Sequence, residues 1–354
     1  MRRRDVLGGA AGGLLAGCGS ESRHVKPVGL AGLVTDADRI VRIEAQGFRR
    51  NGSRQRVAAG DLWHIGSNAK AMTAMLYARL AEQGRASWGA SLQDLFPGVA
   101  IHESWRGIAV EQLMSHTAGL TDEGLIGVWQ LIKSELDERP LPQQRLALAA
   151  KAFSAPPRGR RGEFAYSNAN YVVLGSAIEQ RTGGPWEDAV RRELFQPLGM
   201  ASAGFGAPSG DQPLGHRPSW LPWKGPRPVQ PGPSADNPAF MRPAGGVHLS
   251  LEDYSKFLRL FLKERDSFLS VSSMQRLVAP RSKAPAYALG WLVEDLPWAG
   301  RNALLHDGSN TMWYATAVVS PERGLAAVAV SNEGSQTAAS ATHALARKLL
   351  EQAR

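Results

Sequence analysis

The sequence contains one cysteine, Cys18, among its 354 residues. A single thiol cannot form an internal disulfide, so cross-linking within the chain is excluded as a source of stability. The apolar stretch near the N-terminus, residues 6–16, is interrupted by four glycines and is too short for a permanent transmembrane helix. Stability must come from packing, and the chain is long enough for one large or two small hydrophobic cores.

Two common groups of catalytic motif are also missing. There is no His-Glu-x-x-His pattern and no pair of cysteines, so nothing indicates a zinc site. There is no Gly-x-Ser-x-Gly run, which excludes the nucleophile elbow of α/β-hydrolases. We therefore expect neither a metal ion nor a cofactor.

The charge pattern excludes a nucleic-acid-binding function. The formal net charge is +9, and residues 18–354 retain 38 basic and 31 acidic residues. These charges are dispersed, with only brief clusters such as 158–161, and no basic stripe is interleaved with aromatic residues. A solvated basic surface is the simpler interpretation, and we expect a small-molecule or peptide substrate instead.

Ser67 and Lys70 lie three residues apart at the start of an Ala-rich apolar stretch that predicts a helix over 67–83. This spacing places a hydroxyl and an ammonium group on one helical face. A neighbouring base that takes the serine proton makes the hydroxyl a nucleophile. The motif is common by chance, and on its own a solvated serine near a surface lysine is the alternative.

Two further motifs follow in the sequence. Tyr166 and Asn168 supply a phenol that can transfer a proton and an amide that can hold a substrate carbonyl or the lysine. His306 and Gly308 lie between the apolar run 303–305 and a predicted strand after residue 312. A glycine at such a position lets a substrate lie against an edge strand without an intervening side chain.

Together the three motifs resemble those of the serine β-lactamase and penicillin-binding-protein superfamily, in its class C-like branch with Tyr-x-Asn second. The segment 113–120 (LMSHTAGL) resembles a segment of that family, and 198–200 and 244–246 fall where the family places similar runs. The class A motifs Ser-Asp-Asn and Lys-Thr-Gly are absent. His116, within 113–120, is interpreted as a structural histidine rather than a catalytic base.

The resemblance implies a two-step acyl transfer. Ser67 attacks a carbonyl and forms an acyl-enzyme that water hydrolyses. Lys70 and Tyr166 share the proton transfers, and either one can be the base during acylation. Asn168 orients the substrate amide and the lysine, and the backbone N–H groups of Ser67 and Ser309 form the oxyanion hole. No glutamate can be assigned as the class A deacylation base.

His306 departs from the family pattern. Typical β-lactamases and D,D-peptidases have a lysine there, which binds the substrate carboxylate, whereas histidine is mostly neutral near pH 7. We therefore predict a hydrolase of an ester, amide or peptide, with weak β-lactam turnover. A true class C-type β-lactamase or D,D-carboxypeptidase is the alternative, and a non-catalytic envelope binding protein is an alternative of another class.

The N-terminus predicts export and a lipid anchor. Arg3 and Arg4 resemble a twin-arginine signal, and residues 15–18 (LAGC) resemble a lipobox whose cysteine becomes lipidated. We therefore interpret 1–17 as a lipoprotein signal and 18–26 as a tether. An ordinary cleaved signal with an incidental Cys18 is the alternative. Gly19 favours a periplasm-facing position on the outer membrane if the host is Gram-negative.

The order of predicted elements indicates one antiparallel α/β (α+β) sheet, flanked by helices and built from both chain ends. Strands are predicted at 28–34, 40–45, 288–293, 302–305, 312–319 and 325–330, with a closing helix at 337–352. We expect an α/β domain formed by 27–85 and 245–354, with a mainly helical domain, 86–244, inserted between them. The superfamily places its site between two such parts.

A proline-rich loop ends the predicted helical domain. Ten prolines between Pro208 and Pro243 exclude long helices and central strands there. Trp220 and Trp223 argue against a fully disordered segment. The loop either shapes the acyl pocket near the cleft or is a packed surface loop without a substrate role. The sequence leaves the oligomeric state open.

Overall fold

The computed structural model describes residues 26–219, 225–262 and 268–353. The predicted signal 1–17, Cys18 with nearly all of the tether, and Trp220 and Trp223 of the proline-rich loop lie outside the described residues. Within these ranges, none of the helices has the length and apolar character needed to cross a membrane.

The main sheet has six antiparallel strands in the order β2-β1-β11-β10-β9-β8. A smaller sheet has the order β3-β7-β4, and β5 pairs with β6. The strands are β1 (Gly29–Thr35), β2 (Ile40–Gly47), β3 (Leu62–His64), β4 (Gly204–Phe205), β5 (His216–Arg217), β6 (Arg227–Pro228), β7 (Val247–Ser250), β8 (Leu292–Leu296), β9 (Gly300–Ser309), β10 (Tyr314–Ser320) and β11 (Leu325–Ser331).

Helices cover both faces of the main sheet and form the middle of the chain. They are α1 (Ala69–Glu82), α2 (Leu92–Leu95), α3 (Val110–Met114), α4 (Val128–Glu135), α5 (Leu141–Phe153), α6 (Asn168–Thr182), α7 (Trp186–Val190), α8 (Arg242–Gly245), α9 (Leu251–Leu258), α10 (Val271–Val278) and α11 (Gln336–Gln352). The antiparallel sheet built from both chain ends confirms the predicted fold class.

β1 shows how the sheet separates two apolar layers. Alternate residues of a strand point to opposite faces. Leu30 and Val34 pack with Leu349 of α11, whereas Ala31 and Leu33 belong to the main core on the other face. β1 is therefore buried along its whole length, and burial of a side chain such as Leu33 stabilises the fold by roughly 2 kcal/mol.

The helices α1 and α6 run through the main core and carry functional groups at their N-terminal ends. α1 has eleven buried residues and α6 also has eleven, so each is enclosed on nearly every side. A helix that is apolar all round is typical of a protein interior. Their N-terminal ends are thus held in fixed positions relative to each other.

The predicted bounds of β1, β2, β10 and β11 lie within two residues of the observed ones, whereas those of β8 and β9 differ more. β9 extends from Gly300 to Ser309, beyond the predicted 302–305, because its pairing with β10 continues to Ser309 opposite Tyr314. β8 begins at Leu292 rather than at residue 288. The extension places the entire His306–Gly308 motif on a strand. Because this motif mixes charged and glycine residues, its strand character was not visible in the sequence.

The described part of the proline-rich loop is packed against the rest of the protein. His216 is fully buried, its Nδ1 lies 2.7 Å from the carbonyl oxygen of Asn332, and its Nε2 accepts the Asn51 N–H at 2.9 Å. A 3₁₀ turn, Pro233–Ala235, then leads to Asp236, which reaches the region of Ser67. The loop therefore contacts both the end of the interior strand β11 and the candidate site.

Candidate active site

Ser67 lies in a 3₁₀ turn, Gly66–Asn68, between β3 and α1. Gly66 has φ +53°, and a Cβ there would be 2.4 Å from the backbone nitrogen of Ser309. A Cβ on Gly308 would be 2.0 Å from the Ile65 carbonyl oxygen and 2.8 Å from the Ser67 nitrogen. Only glycine fits at either position. The turn and β9 consequently touch backbone to backbone beside the Ser67 hydroxyl.

This contact brings together two backbone amides that the sequence analysis assigned to the oxyanion hole, those of Ser67 and Ser309. The Ser309 side chain is engaged within its own turn, where its hydroxyl donates to the Trp313 carbonyl at 2.7 Å and accepts the Thr311 N–H at 3.0 Å. A role of Ser309 toward a substrate would therefore involve its backbone. Gly308 permits the close approach of β9 to the turn that carries Ser67.

Lys70 is fully buried and its Nζ is surrounded by three oxygen atoms. It lies 2.9 Å from Ser67 Oγ, 2.8 Å from Asn168 Oδ1 and 2.7 Å from the Ala244 carbonyl oxygen. Burial lowers the pKa of Lys70 to about 7, with Asp122 opposing the shift. The amine can therefore lose and regain a proton near neutral pH.

The three hydrogen-bond partners of Lys70 determine how its amine is oriented when it is uncharged. The oxygens of Asn168 and Ala244 can only accept, so they take both N–H groups of an uncharged amine. The remaining lone pair then faces the Ser67 hydroxyl, which is the one partner of the three that can donate. This geometry suits removal of the serine proton.

Asp122 orients Asn168, and this carboxylate was not predicted from the sequence. Its carboxylate accepts the Ser167 hydroxyl at 2.7 Å, the Ala169 N–H at 2.9 Å and the Asn168 side-chain amide at 3.3 Å. A carboxylate can only accept here, so the amide nitrogen of Asn168 faces Asp122 and its oxygen faces Lys70. Asp122 also satisfies an N–H at the start of α6. It belongs to no short motif, and only the fold brings it to this helix end.

Tyr166 covers Lys70 with its ring. The ring centroid lies 4.9 Å from Lys70 Nζ, and the buried hydroxyl has no hydrogen-bond partner among the described residues. Burial raises the pKa of Tyr166, an effect that the Ser67 hydroxyl partly offsets. The phenol is therefore protonated at neutral pH, and it can donate a proton to an atom that enters the site.

His306 is brought to the site but offers no free N–H. Its Nδ1 lies 2.7 Å from the Asp307 carbonyl oxygen, which can only accept, so Nδ1 carries the proton. Its Nε2 then accepts from the Tyr287 hydroxyl at 3.1 Å. Burial, followed by the nearby Lys70, lowers the pKa of His306 to about 4. The ring is neutral near pH 7 and lies behind the surface that a substrate would meet.

Asp307 faces the opposite side of the sheet, as strand alternation requires. Its carboxylate bonds Thr316 Oγ1 and His343 Nε2, both at 2.8 Å. Asp307 holds the pKa of His343 above its usual value. The side chain of Asp307 therefore contributes to the packing of α11 and does not pair with the His306 ring.

His116 lies behind Tyr166, with 4.5 Å between the ring centroids. Its Nδ1 accepts from the Ser167 N–H at 3.3 Å and from the Asn170 amide at 3.2 Å. Burial, with further contributions from Lys70 and His306, lowers its pKa well below the usual value. These contacts hold the Tyr166–Asn168 segment, as a structural histidine would. In the described ranges, no three His, Cys, Asp or Glu side chains are grouped to hold a metal ion.

A serine, a buried lysine, a tyrosine and two convergent backbone amides on this fold define the β-lactamase and penicillin-binding-protein class of serine hydrolases. The chain belongs to the Beta-lactamase family, which it matches over residues 21–351. It is 27% identical over 309 residues to "Penicillin-binding protein 4" of Amycolatopsis lactamdurans, covering 83% of this chain and 78% of that one. Other curated relatives are about 23% identical, and the chain spans 53% of their length.

Two solved structures share the fold. "EstCE1, a hydrolase with promiscuous acyltransferase activity" has a TM-score of 0.76 at 19% identity, covering 92% of this chain and 94% of that one. A D-stereospecific amidohydrolase from Streptomyces sp. has a TM-score of 0.68 at 23% identity, covering 89% of this chain and 94% of that one.

Proposed function

We propose that this protein is a serine hydrolase that forms an acyl-enzyme on Ser67 and acts on esters, amides or peptides. The observation that carries the proposal is the environment of Lys70. Its amine is fully buried, it has no carboxylate among its hydrogen-bond partners, and it lies 2.9 Å from the Ser67 hydroxyl oxygen. A depressed lysine pKa next to a serine is the arrangement that activates a hydroxyl nucleophile.

Lys70 is the base of acylation in this proposal, because the raised pKa of Tyr166 keeps its phenol protonated. The Ser67 proton passes to Lys70 Nζ as Oγ bonds the substrate carbonyl carbon. The resulting oxyanion is stabilised by the N–H groups of Ser67 and Ser309, each contributing about 3 kcal/mol. On collapse, the leaving oxygen or nitrogen takes a proton from Tyr166, which Lys70 restores. Water then attacks the carbonyl carbon of the acyl-enzyme while Lys70 Nζ takes one of its protons. The bond to Oγ breaks, the acid leaves, and Lys70 returns the proton to Ser67 Oγ.

The neutral His306 favours acyl donors without a carboxylate next to the scissile bond. With no fixed cation at this position, the charge-assisted hydrogen bond that a lysine would give to such a carboxylate is missing. The esterase and amidohydrolase that share the fold support a hydrolase of this breadth. The name of the Amycolatopsis relative favours a second candidate, a penicillin-reactive D,D-carboxypeptidase or β-lactamase.

The test is mass spectrometry of the intact protein after incubation with a fluorophosphonate, p-nitrophenyl esters, penicillins and D-Ala-D-Ala peptides. We expect one covalent adduct per chain, on Ser67, with fluorophosphonate and with slowly deacylated esters. Ser67→Ala should abolish labelling and leave the melting temperature nearly unchanged, since one hydroxyl is removed. Full labelling of that variant contradicts the assignment. A folded protein that no probe labels would instead support the non-catalytic binding protein.

We further propose that the protein is exported and anchored through a lipid on Cys18. The support is in the sequence, where Arg3 and Arg4 precede a weakly apolar stretch that ends in residues 15–18. One acyl chain binds a membrane only marginally, so stable attachment requires several. Cys18→Ala should move the protein from the membrane fraction to the soluble fraction. An unmodified Cys18 in the mature protein contradicts the proposal.

A further inference from the structure

His64 immediately precedes the turn that carries Ser67 and is fully buried. Its Nδ1 accepts the Gly66 N–H at 3.2 Å, so the ring proton lies on Nε2 when the ring is neutral. Nε2 lies 3.0 Å from Asp236 Oδ1, in an approach too oblique for a directed hydrogen bond. The contact is therefore chiefly electrostatic, between the Nε2–H group and a carboxylate.

Asp236 comes from the proline-rich loop and its side chain is only 9% exposed. It accepts the Asn310 side-chain amide at 2.9 Å and the Asn237 N–H at 2.7 Å. Burial raises its pKa, but His64 and these donors lower it, and the net shift is downward. An ionised carboxylate with these partners is costly to disturb, because each partner would become an unsatisfied buried polar group.

Asn310 connects this carboxylate to the end of β9. Its Oδ1 accepts the Met312 N–H at 3.2 Å and the Trp313 N–H at 3.1 Å, while its Nδ2 also contacts the Ala235 carbonyl at 3.3 Å. These bonds shape the turn that follows Ser309. One carboxylate thus contacts a side chain from each of the two backbone segments that meet beside the Ser67 hydroxyl, His64 before the turn and Asn310 after β9.

We propose that His64, Asp236 and Asn310 are positioning residues that hold the N–H groups of Ser67 and Ser309 in place for the oxyanion. The inference rests on the proposed function, since it assigns a role in that acyl transfer. The proposal also assigns a role to the proline-rich loop, because Asp236 belongs to that loop and contacts both His64 and Asn310. Displacing an oxyanion donor by a fraction of an ångström weakens its bond in the transition state more than in the bound substrate.

The first test compares Asp236→Asn with Asp211→Asn. Asp211 lies in the same loop but is 74% exposed and bonds Arg49 and Gln55, away from Ser67. For p-nitrophenyl acetate under single-turnover conditions, we expect Asp236→Asn to slow acylation by about 10- to 100-fold. The concentration for half-maximal rate should change less than threefold, and Asp211→Asn should match the wild type. An unchanged rate in folded Asp236→Asn overturns the proposal.

The second test breaks the two contacts of His64 one at a time. It can be carried out even if Asp236→Asn does not fold. The oxygen of His64→Asn can replace Nδ1 toward Gly66, whereas the amide of His64→Gln can replace Nε2 toward Asp236. Each variant keeps one contact and breaks the other, so both should lose about tenfold in acylation rate. Wild-type acylation in either folded variant shows that the connection is not needed and overturns the proposal.

A readout independent of activity separates this inference from the proposed function. Hydrogen exchange of the segment 62–68, followed by mass spectrometry, should be faster in Asp236→Asn than in the wild type or Asp211→Asn. If no probe labels the wild type, the proposed function fails. If Asp236→Asn does not change the hydrogen exchange of 62–68, Asp236 does not stabilise the turn, and this inference fails as well. Faster exchange with an unchanged acylation rate overturns the positioning role alone.

Discussion

Among the residues that the structure describes, Lys70 and Arg145 are cations that are completely buried, and they differ in the groups that surround them. Lys70 meets only neutral oxygen atoms. Arg145 forms an ion pair with Glu179 and a two-pronged one with Glu187, with N–O distances of 2.6 and 3.1 Å. Burial lowers the pKa of both cations, but the carboxylates reverse the shift for Arg145. A buried amine without a carboxylate partner thus titrates near neutral pH, whereas a buried guanidinium paired with two carboxylates keeps its charge.

The comparison separates a reactive site from a structural one. Arg145 also donates to the carbonyls of Ala239 (3.1 Å) and Phe240 (2.9 Å), so it ties α5 to α6, to α7 and to the segment before α8. A guanidinium group with two carboxylates is a permanent connection. An amine without one can change its protonation state. We expect changes at Lys70 to alter mainly activity and changes at Arg145 to alter mainly stability.

The largest effect is expected for Lys70→Met. It removes the base, so acylation by p-nitrophenyl acetate should fall by about 10²–10⁴-fold. The free energy of unfolding should change by less than about 2 kcal/mol, because removal of a buried amine without a counter-ion offsets the loss of its hydrogen bonds to Asn168 and Ala244. Lys151→Met, at an exposed lysine that bonds the Gly124 carbonyl, is the control and should change neither quantity. Substantial acylation by Lys70→Met would mean that Tyr166 is the base.

Arg145→Met should show the converse pattern. It leaves Glu179 buried without a cation and Glu187 with only the longer contact to Arg242 at 3.4 Å, which costs about 3–5 kcal/mol of unfolding free energy. Urea denaturation measures this loss, and the surface variant Arg139→Met should lose less than about 1 kcal/mol. The fraction that remains folded should be labelled at Ser67 at close to the wild-type rate. If Arg145→Met and Arg139→Met have the same free energy of unfolding, Arg145 does not stabilise the fold and the contrast with Lys70 is wrong.

The pH dependence of acylation should follow Lys70, whose neutral form is the base. The rate should rise with pH through about 7 in the wild type. Since Asp122 raises the pKa of Lys70, Asp122→Asn should move this inflection to lower pH and slow acylation by about tenfold through the loosened Asn168. Asp188→Asn, at an exposed position of α7, is the control. If the inflection stays at the same pH in Asp122→Asn, the pH dependence of acylation does not arise from Lys70.

The smallest effect is expected for His306→Lys. A second cation near Lys70 should bind a substrate carboxylate by a charge-assisted hydrogen bond and shift the ratio of kcat/KM between penicillins and aryl esters by roughly tenfold toward penicillins. It should also lower the pKa of Lys70 further by like-charge repulsion. Measurement of both substrate classes between about pH 6 and 8 tests this. A wild type that strongly prefers penicillins throughout would contradict the argument from His306.

The sequence predicted the parts of the site that lie within short motifs. Ser67 and Lys70 are joined by one helical turn, and the fold class followed from strands at both ends of the chain. The groups that orient them were not predictable, because Asp122 and Asp236 reach the site from segments without any fixed spacing to their partners. Asp307 directly follows His306 in the sequence, but strand alternation turns its carboxylate to the other face of the sheet, where it bonds His343.

The pairing of β1 with both β2 and β11 has a consequence for the order of events during synthesis. β1 and β2 are synthesised before β11, but β1 cannot become an interior strand of the sheet until β11 emerges almost three hundred residues later, and β2 stays at the edge. Every unfinished chain therefore exposes an apolar strand edge and lacks Ser309 beside Ser67. The protein should acquire its fold and its reactive serine together, only after β11 has been synthesised.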